Sequence, residues 1–121
     1  MKAFLTNYRQ SPRKVRLIAD AIKGKPVNEA EAILTFMVKR GANPMKKILT
    51  SAVSNAKANF GVEKDLLFVK NATVDKGVVM KRVERRARGS ANIIQKRSSH
   101  IEITLDTLKD VKVKRASKKS K

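Results

Sequence analysis

The sequence predicts an α+β fold in which three helices pack on a small antiparallel sheet and a long basic β-hairpin projects from the body. Apolar residues recur at helical spacing between residues 12 and 60, and β-like segments flank this region. A third β-compatible stretch, at about 78–99, is crowded with basic residues. Because 121 residues suit one domain, we assign 1–108 to it, including the hairpin, and 109–121 to a basic tail.

The first strand is predicted from Lys2 to Tyr8, and the first helix begins at Ser11-Pro12. A serine hydroxyl can accept a hydrogen bond from a free backbone N–H at a helix start, and proline suits the first helical position. Gly24 ends this helix. Its apolar stripe comprises Val15, Ile18, Ala19 and Ile22.

Two further helices follow. Asn28 and Glu31 resemble a capping box at the start of a short second helix, which ends before Gly41. Asn43-Pro44 indicates the start of a longer third helix, and Gly61 its end. The predicted core face of the third helix consists of Met45, Ile48, Leu49, Ala52, Val53, Ala56 and Phe60.

The remaining body strands are predicted at Leu66 to Asp75 and at His100 to Asp106. In the latter, apolar and polar residues alternate, which is typical of a sheet with one face under helices and the other in water. The aromatic residues are expected mostly on core faces, and none lies in the basic hairpin, so aromatic base-stacking platforms are not supported. The aromatic residues of the chain are Phe4, Tyr8, Phe36, Phe60 and Phe68.

Composition disfavours enzymes. The chain has no cysteine and one histidine, which removes disulfides, thiolate nucleophiles and most histidine metal sites. We expect no catalytic residue, metal, cofactor or small-molecule substrate. No apolar run of eighteen residues or secretory signal is visible, so we expect a cytoplasmic protein with no membrane partner.

Charge is concentrated on three segments. The chain carries 29 Lys and Arg against 10 Asp and Glu, a net charge of +19. Residues 1–16, 78–100 and 109–121 hold seventeen of these net charges, whereas the rest of the chain is nearly neutral. Charge segregated in this way is typical of a contact surface for a polyanion.

The stretch 78–99 predicts a hairpin whose flanks surround the turn-prone Arg88-Gly89-Ser90. An isolated two-stranded ribbon is marginally stable in water, so a partner that orders the hairpin is favoured over an ordinary solvated loop. An arginine guanidinium can bind a phosphate with two parallel donors and can stack on unpaired bases. Three arginines, called the tip arginines below, lie around the turn: Arg85, Arg86 and Arg88.

The run MKRVERRARGSANIIQKRSSHIEI, from Met80 to Ile103, resembles the signature of the bacterial-type large-subunit ribosomal protein family numbered twenty-two. The resemblance extends to SPRKVRL in the first helix and to SAVSNA in the third, and so covers the chain up to about Leu105. It departs at Arg85, where the family often has proline, and at Ser90, where a second basic residue is common.

This resemblance implies a structural protein of the large ribosomal subunit, bound to 23S rRNA in the cytoplasm and assisting early assembly. The body would lie near the polypeptide exit, beside neighbouring large-subunit proteins. The hairpin would run inward through rRNA, and its tip would line the nascent-peptide tunnel, in contact with the passing polypeptide. The implied tunnel-lining tip comprises Arg85, Arg86, Ala87, Arg88, Gly89, Ser90 and Ala91.

The candidate rRNA-binding residues are basic or small polar residues of the three segments. His100 is included as a polar contact rather than as a catalyst, because no partner residues of a triad are visible. The alternative is an architectural DNA-binding protein of the HU type, and an RNA-processing enzyme is weaker still because no acidic cluster for two metals is present. The candidates are Arg9, Ser11, Arg13, Lys14, Arg16, Lys81, Arg82, Arg85, Arg86, Arg88, Lys96, Arg97, Ser98, Ser99, His100, Lys112 and Lys114.

Overall fold

The computed structural model describes residues 1–107, and the tail at 109–121 lies outside them. The strands are β1 (Lys2–Tyr8), β2 (Leu67–Arg85) and β3 (Ala91–Thr107). The helices are α1 (Pro12–Ile22), α2 (Val27–Phe36) and α3 (Ala42–Phe60). Antiparallel strands in the order β1-β3-β2 form the sheet, so the predicted α+β fold of three helices and a small antiparallel sheet is confirmed.

The core lies between the helices and one face of the sheet. On the central strand β3, Ile101, Ile103 and Leu105 are at most 1% exposed, and they alternate with half-buried polar residues as predicted. Burial of this alternating set fixes the register, because a slip by one residue would turn every apolar side chain to the opposite face. The helices contribute the other side of the core.

The starts of the helices are close to the predicted positions, but the capping predictions are wrong. Ser11 is the N-cap of α1, yet its side chain makes no capping hydrogen bond. α2 begins at Val27 after Pro26, so Asn28 lies inside the helix instead of capping it. The Asn28 side chain donates to Asp65 Oδ1 at 2.7 Å, and this tertiary partner replaces the expected capping box.

α3 begins at Ala42, one residue before the predicted Asn43, and ends at Gly61 as predicted. Gly61 has a φ of 62°, in the left-handed region that glycine adopts without strain. The prediction that most aromatic side chains lie on core faces is wrong. Phe4, Phe36 and Phe60 are 64%, 84% and 65% exposed. Phe4 pairs with Glu102, on the face of the sheet opposite the core, and Phe36 and Phe60 are the last residues of α2 and α3.

The hairpin is continuous with the body sheet. β2 and β3 each run unbroken from the body into the hairpin, whereas the sequence predicted separate body and hairpin strands. β1 pairs with β3 as far as Ser99. From there toward the tip, β2 and β3 are the only strands of the described residues that pair, and their ladder ends at Arg85 and Ala91. This two-stranded part is the hairpin below. No helix within residues 1–107 is long and apolar enough to cross a membrane.

Candidate nucleic-acid interface

A groove of about 830 Å³ lies where the hairpin leaves the body, and we call it the first groove. Its walls come from the β1–α1 and α2–α3 connections, the start of α1 and both strands of the hairpin. Segments distant in sequence therefore meet here. The lining residues are Arg9, Gln10, Ser11, Lys14, Arg40, Met80, Arg82, Gln95, Lys96, Arg97 and Ser98.

A second groove of about 410 Å³ is lined by Ser11, Pro12, Arg13, Arg16, Lys76 and Arg97. Arg16 Nε donates to the carbonyl oxygen of Val74 at 3.0 Å, which ties this arginine of α1 to β2. Arg97 lines both grooves, and its guanidinium donates to Gln95 Oε1 at 2.9 Å. Hydrogen bonds thus restrict two of the guanidinium groups before any ligand arrives.

The two grooves have a strongly positive lining. Among residues 1–107, nine different basic residues and no acidic residue line one groove or the other. Concave surfaces of one charge sign concentrate the electrostatic field and attract counter-ions of the opposite sign. Planar guanidinium groups suit phosphate oxygens in particular. The arrangement can therefore hold a polyanionic backbone.

The tip of the hairpin is a compact turn. The backbone N–H of Arg86 donates to the carbonyl oxygen of Ser90 at 2.9 Å, and Ser90 Oγ donates to that of Ala87 at 2.9 Å. Arg88 and Gly89 have φ values of 57° and 71°, so two consecutive left-handed residues reverse the chain. Arg86 forms an exposed ion pair with Glu84 at 3.0 Å. All three tip arginines are exposed at the end of the hairpin, away from the lining of either groove.

Ser98, Ser99 and His100 differ from the other candidates, because the two serines are only 4% and 0% exposed. Ser98 Oγ donates to the carbonyl oxygen of Val78 at 2.7 Å, and His100 Nδ1 accepts from the backbone N–H of Asn7 at 3.1 Å. The side chains of Ser98 and His100 thus interact with the protein backbone. The RNA contacts of the two serines stay predictions: Ser98 lines the first groove despite its low exposure, whereas Ser99 Oγ is buried and has no hydrogen-bond partner among residues 1–107.

The structure brings seven predicted residues together in the first groove, Ser98 among them, and four in the second, with Ser11 and Arg97 shared. Lys81 is exposed on the hairpin and lines neither groove. Sequence reasoning missed Arg40 and Lys76, which line the first and the second groove. Lys76 lies two residues before the predicted hairpin, so a prediction that extended the basic segment by two residues would have included it. Arg40 lies in the α2–α3 connection, which only the fold brings next to the hairpin. The predicted candidates Lys112 and Lys114 lie outside the described residues.

Within residues 1–107, no group of three or more His, Cys, Asp or Glu residues could hold a metal ion. Glu31 of α2 is a carboxyl group with a lowered pKa, and it lines neither groove. A hydrogen bond from Lys64 holds the pKa of Glu31 below its ordinary value of 4.5, aided by the positive charges of Lys64 and Lys46 and opposed by partial burial. Glu31 and Lys64 form an ion pair that helps hold the start of β2 near α2.

The sequence matches a family model described as ribosomal protein L22p/L17e over residues 3–106. The chain belongs to this family. It is a family of ribosomal proteins rather than of enzymes, and the matched segment spans all of the helices and the hairpin.

Curated relatives of the chain carry the name large ribosomal subunit protein uL22. The protein from Deinococcus radiodurans is 54% identical over 95 residues, which cover 78% of this chain and 71% of that protein. The one from Thermus thermophilus is 51% identical over 104 residues, covering 86% and 92%. The one from Desulfitobacterium hafniense is 46% identical over 104 residues, covering 86% and 91%. The L22p/L17e assignment therefore extends over nearly the whole described chain.

Proposed function

We propose that this L22p/L17e family member is a structural protein of the large ribosomal subunit that binds 23S rRNA. The observation that carries the proposal is the pair of basic grooves, which meet at Arg97 where the hairpin leaves the body. We infer the assembly to which the chain belongs from its relatives, which are named as proteins of the large ribosomal subunit. In this proposal the chain is bound to ribosomes in the cytoplasm and has no catalytic role.

Different parts of the chain have different roles in the proposal. The grooves hold rRNA backbone at the body, beside neighbouring large-subunit proteins and near the polypeptide exit. The hairpin extends through rRNA, with Lys81 and the tip arginines neutralising phosphates along it. The tip at 85–91 lines the nascent-peptide tunnel. Lys112 and Lys114 extend the phosphate contacts on the basis of charge alone.

Recognition in this proposal depends on RNA backbone and shape rather than on stacked bases. The hairpin at residues 77–98 contains no tyrosine or phenylalanine, whereas proteins that recognise single-stranded nucleic acids stack bases on such rings. Neutralising a phosphate releases counter-ions, so the logarithm of the association constant falls with the logarithm of salt concentration by roughly 0.7–0.9 per contact. The salt slope therefore counts the phosphate contacts.

The test compares two triple variants of equal net charge in binding to a 23S rRNA fragment at several salt concentrations. The groove variant replaces Arg13, Lys76 and Arg97 by Gln, and leaves Arg16 in place because it also bonds β2. The control variant replaces exposed lysines that line neither groove: Lys23, Lys47 and Lys57. We expect the groove variant to lower the salt slope by about 2–3 and the control by less than about 1.

Equal slopes in the two variants would show that net charge, and not the grooves, governs binding. Duplex DNA of the same length serves as the competitor, because the HU-type alternative would require DNA to compete as well as rRNA does. Sedimentation of cell lysate supplies the test of assembly. Recovery of the chain in free or nucleoid fractions, instead of with large subunits, would overturn the proposal.

A further inference from the structure

The sheet narrows from three strands to two at Ser99, and β1 carries an extra residue there. Between two successive pairs with β3, β1 advances three residues, from 5 to 8, while β3 advances two. Asn7 in this bulge has a φ of 55°, in the left-handed region that asparagine tolerates better than most residues. Its backbone N–H, which the bulge removes from the ladder, donates to His100 Nδ1 at 3.1 Å.

The opposite strand β2 has a matching bulge at the same level. It advances three residues, from 76 to 79, against two of β3. A Cβ on Gly77 would lie 2.5 Å from Ser98 Oγ and 3.2 Å from His100 Nε2, so any larger residue here would displace the Ser98 hydroxyl from its present position. Ser98 Oγ donates to the carbonyl oxygen of the bulge residue Val78 at 2.7 Å.

Two bulges therefore lie on either side of one short segment of β3, and side chains of that segment hydrogen-bond to the backbone of each. A bulge bends its strand and increases the local twist, and so redirects whatever follows. The hairpin follows here. From this arrangement we propose that Asn7, Gly77, Ser98 and His100 form a joint that holds the hairpin in one direction relative to the body.

The length of the hairpin amplifies small changes at this joint. At about 3.3 Å per residue, residues 79–85 span about 23 Å, so a tilt of about 15° at the joint moves the end of the strand by about 6 Å. A surface whose parts are already oriented loses less conformational entropy on binding. The effect on RNA affinity rests on the proposed function, whereas the direction of the hairpin is a property of the free protein.

The direction can be measured as a distance between two spin labels. The chain contains no cysteine, so Ala58→Cys on α3 and Ile93→Cys on the hairpin introduce the only thiols. Both positions are exposed. Pulsed electron paramagnetic resonance on the full-length protein, without RNA, then reports the body-to-hairpin distance distribution.

Two joint variants and one matched control are compared in this labelled background. Gly77→Ala forces Ser98 out of its place, and Ser98→Ala removes the hydrogen bond to Val78. Ser90→Ala is the control, because it also removes a hydrogen bond from serine to a backbone carbonyl, but at the tip. We expect both joint variants to shift or broaden the distribution by several ångströms, and the control to leave it unchanged.

An unchanged distribution in Ser98→Ala would overturn the proposal, and so would an equal change in Ser90→Ala. If Gly77→Ala fails to fold by circular dichroism, Ser98→Ala alone decides the outcome. RNA affinity, measured separately, distinguishes the two proposals. If the parent protein does not bind rRNA but the distances change as expected, the proposed function fails and the joint stands. If the distances stay unchanged while the groove variant lowers the salt slope of rRNA binding, the proposed joint is wrong and the proposed function stands.

Discussion

Replacing Ile103 by alanine should destabilise the body more than most single truncations of its kind. Ile103 is 0% exposed on the central strand β3. Its cross-strand neighbours are Ala3 on β1 and Ala72 on β2, so both flanking side chains are small. Neither alanine can extend into the space that a truncated side chain would leave, and the cavity should remain largely open.

The expected loss follows from this geometry. Ile→Ala removes three carbons, worth about 0.8 kcal/mol each in lost burial, or about 2.4 kcal/mol. An uncollapsed cavity adds a further cost, which brings the total to about 4 kcal/mol, in the upper part of the usual range of about 2–5 kcal/mol. That is a large fraction of the stability of a small domain, commonly about 5–15 kcal/mol.

Urea unfolding followed by circular dichroism measures this loss. With a slope of about 2 kcal/mol per molar, the midpoint should fall by about 2 M. Ile93→Ala is the matched control, because it makes the same change on the same strand at a side chain 64% exposed in the hairpin. It should cost less than about 0.5 kcal/mol. A loss below about 1.5 kcal/mol for Ile103→Ala, or equal losses for both, would refute the packing argument.

Two other predictions concern charges outside the core. Replacing the three tip arginines together by alanine should leave the urea midpoint unchanged, since all three are exposed, while lowering the salt slope of rRNA binding by about 2. A lowered midpoint would mean that the tip supports the core. Lys64→Gln should raise the pKa of Glu31 toward 4.5 in a carboxyl NMR titration, because Lys64 supplies the largest lowering effect. The stability from this pair is present above about pH 4.5 and is lost as pH falls through the depressed pKa, so the variant should match the parent in acid.

Local pattern was sufficient where a feature depends on neighbours in sequence. The stripe of α1, the αL glycine after α3 and the alternation in β3 were all predicted, because periodicity and backbone preference act over a few residues. The capping predictions were wrong because a tertiary partner competes with a cap, as Asp65 does for Asn28. The exposed aromatic residues were misassigned because hydrophobic character alone does not show whether another element covers a helix end or the second face of a strand.

Some features of the candidate site could likewise be predicted from the sequence, and others could not. Composition located the basic segments, and the order of residues in one of them indicated the family. The grooves depend on how α1, the α2–α3 connection and the hairpin meet, so Arg40 could not have been assigned from its own neighbourhood. Ser98 and Ser99 were predicted to contact RNA, but nothing in the sequence indicated that both would be buried, because the bulges of the two outer strands that flank them depend on tertiary pairing.

The amino-acid sequence by itself determined the α+β class, the approximate helix bounds and the segregation of positive charge, because each depends on composition or on spacing within one element. Only the tertiary structure decided which charges share a groove, which serines are buried and how the sheet passes into the hairpin. These depend on contacts between residues far apart in the chain, such as Asn7 with His100 and Arg16 with Val74. Pairings of that kind have no local signature, because the energy that selects them comes from packing the whole body.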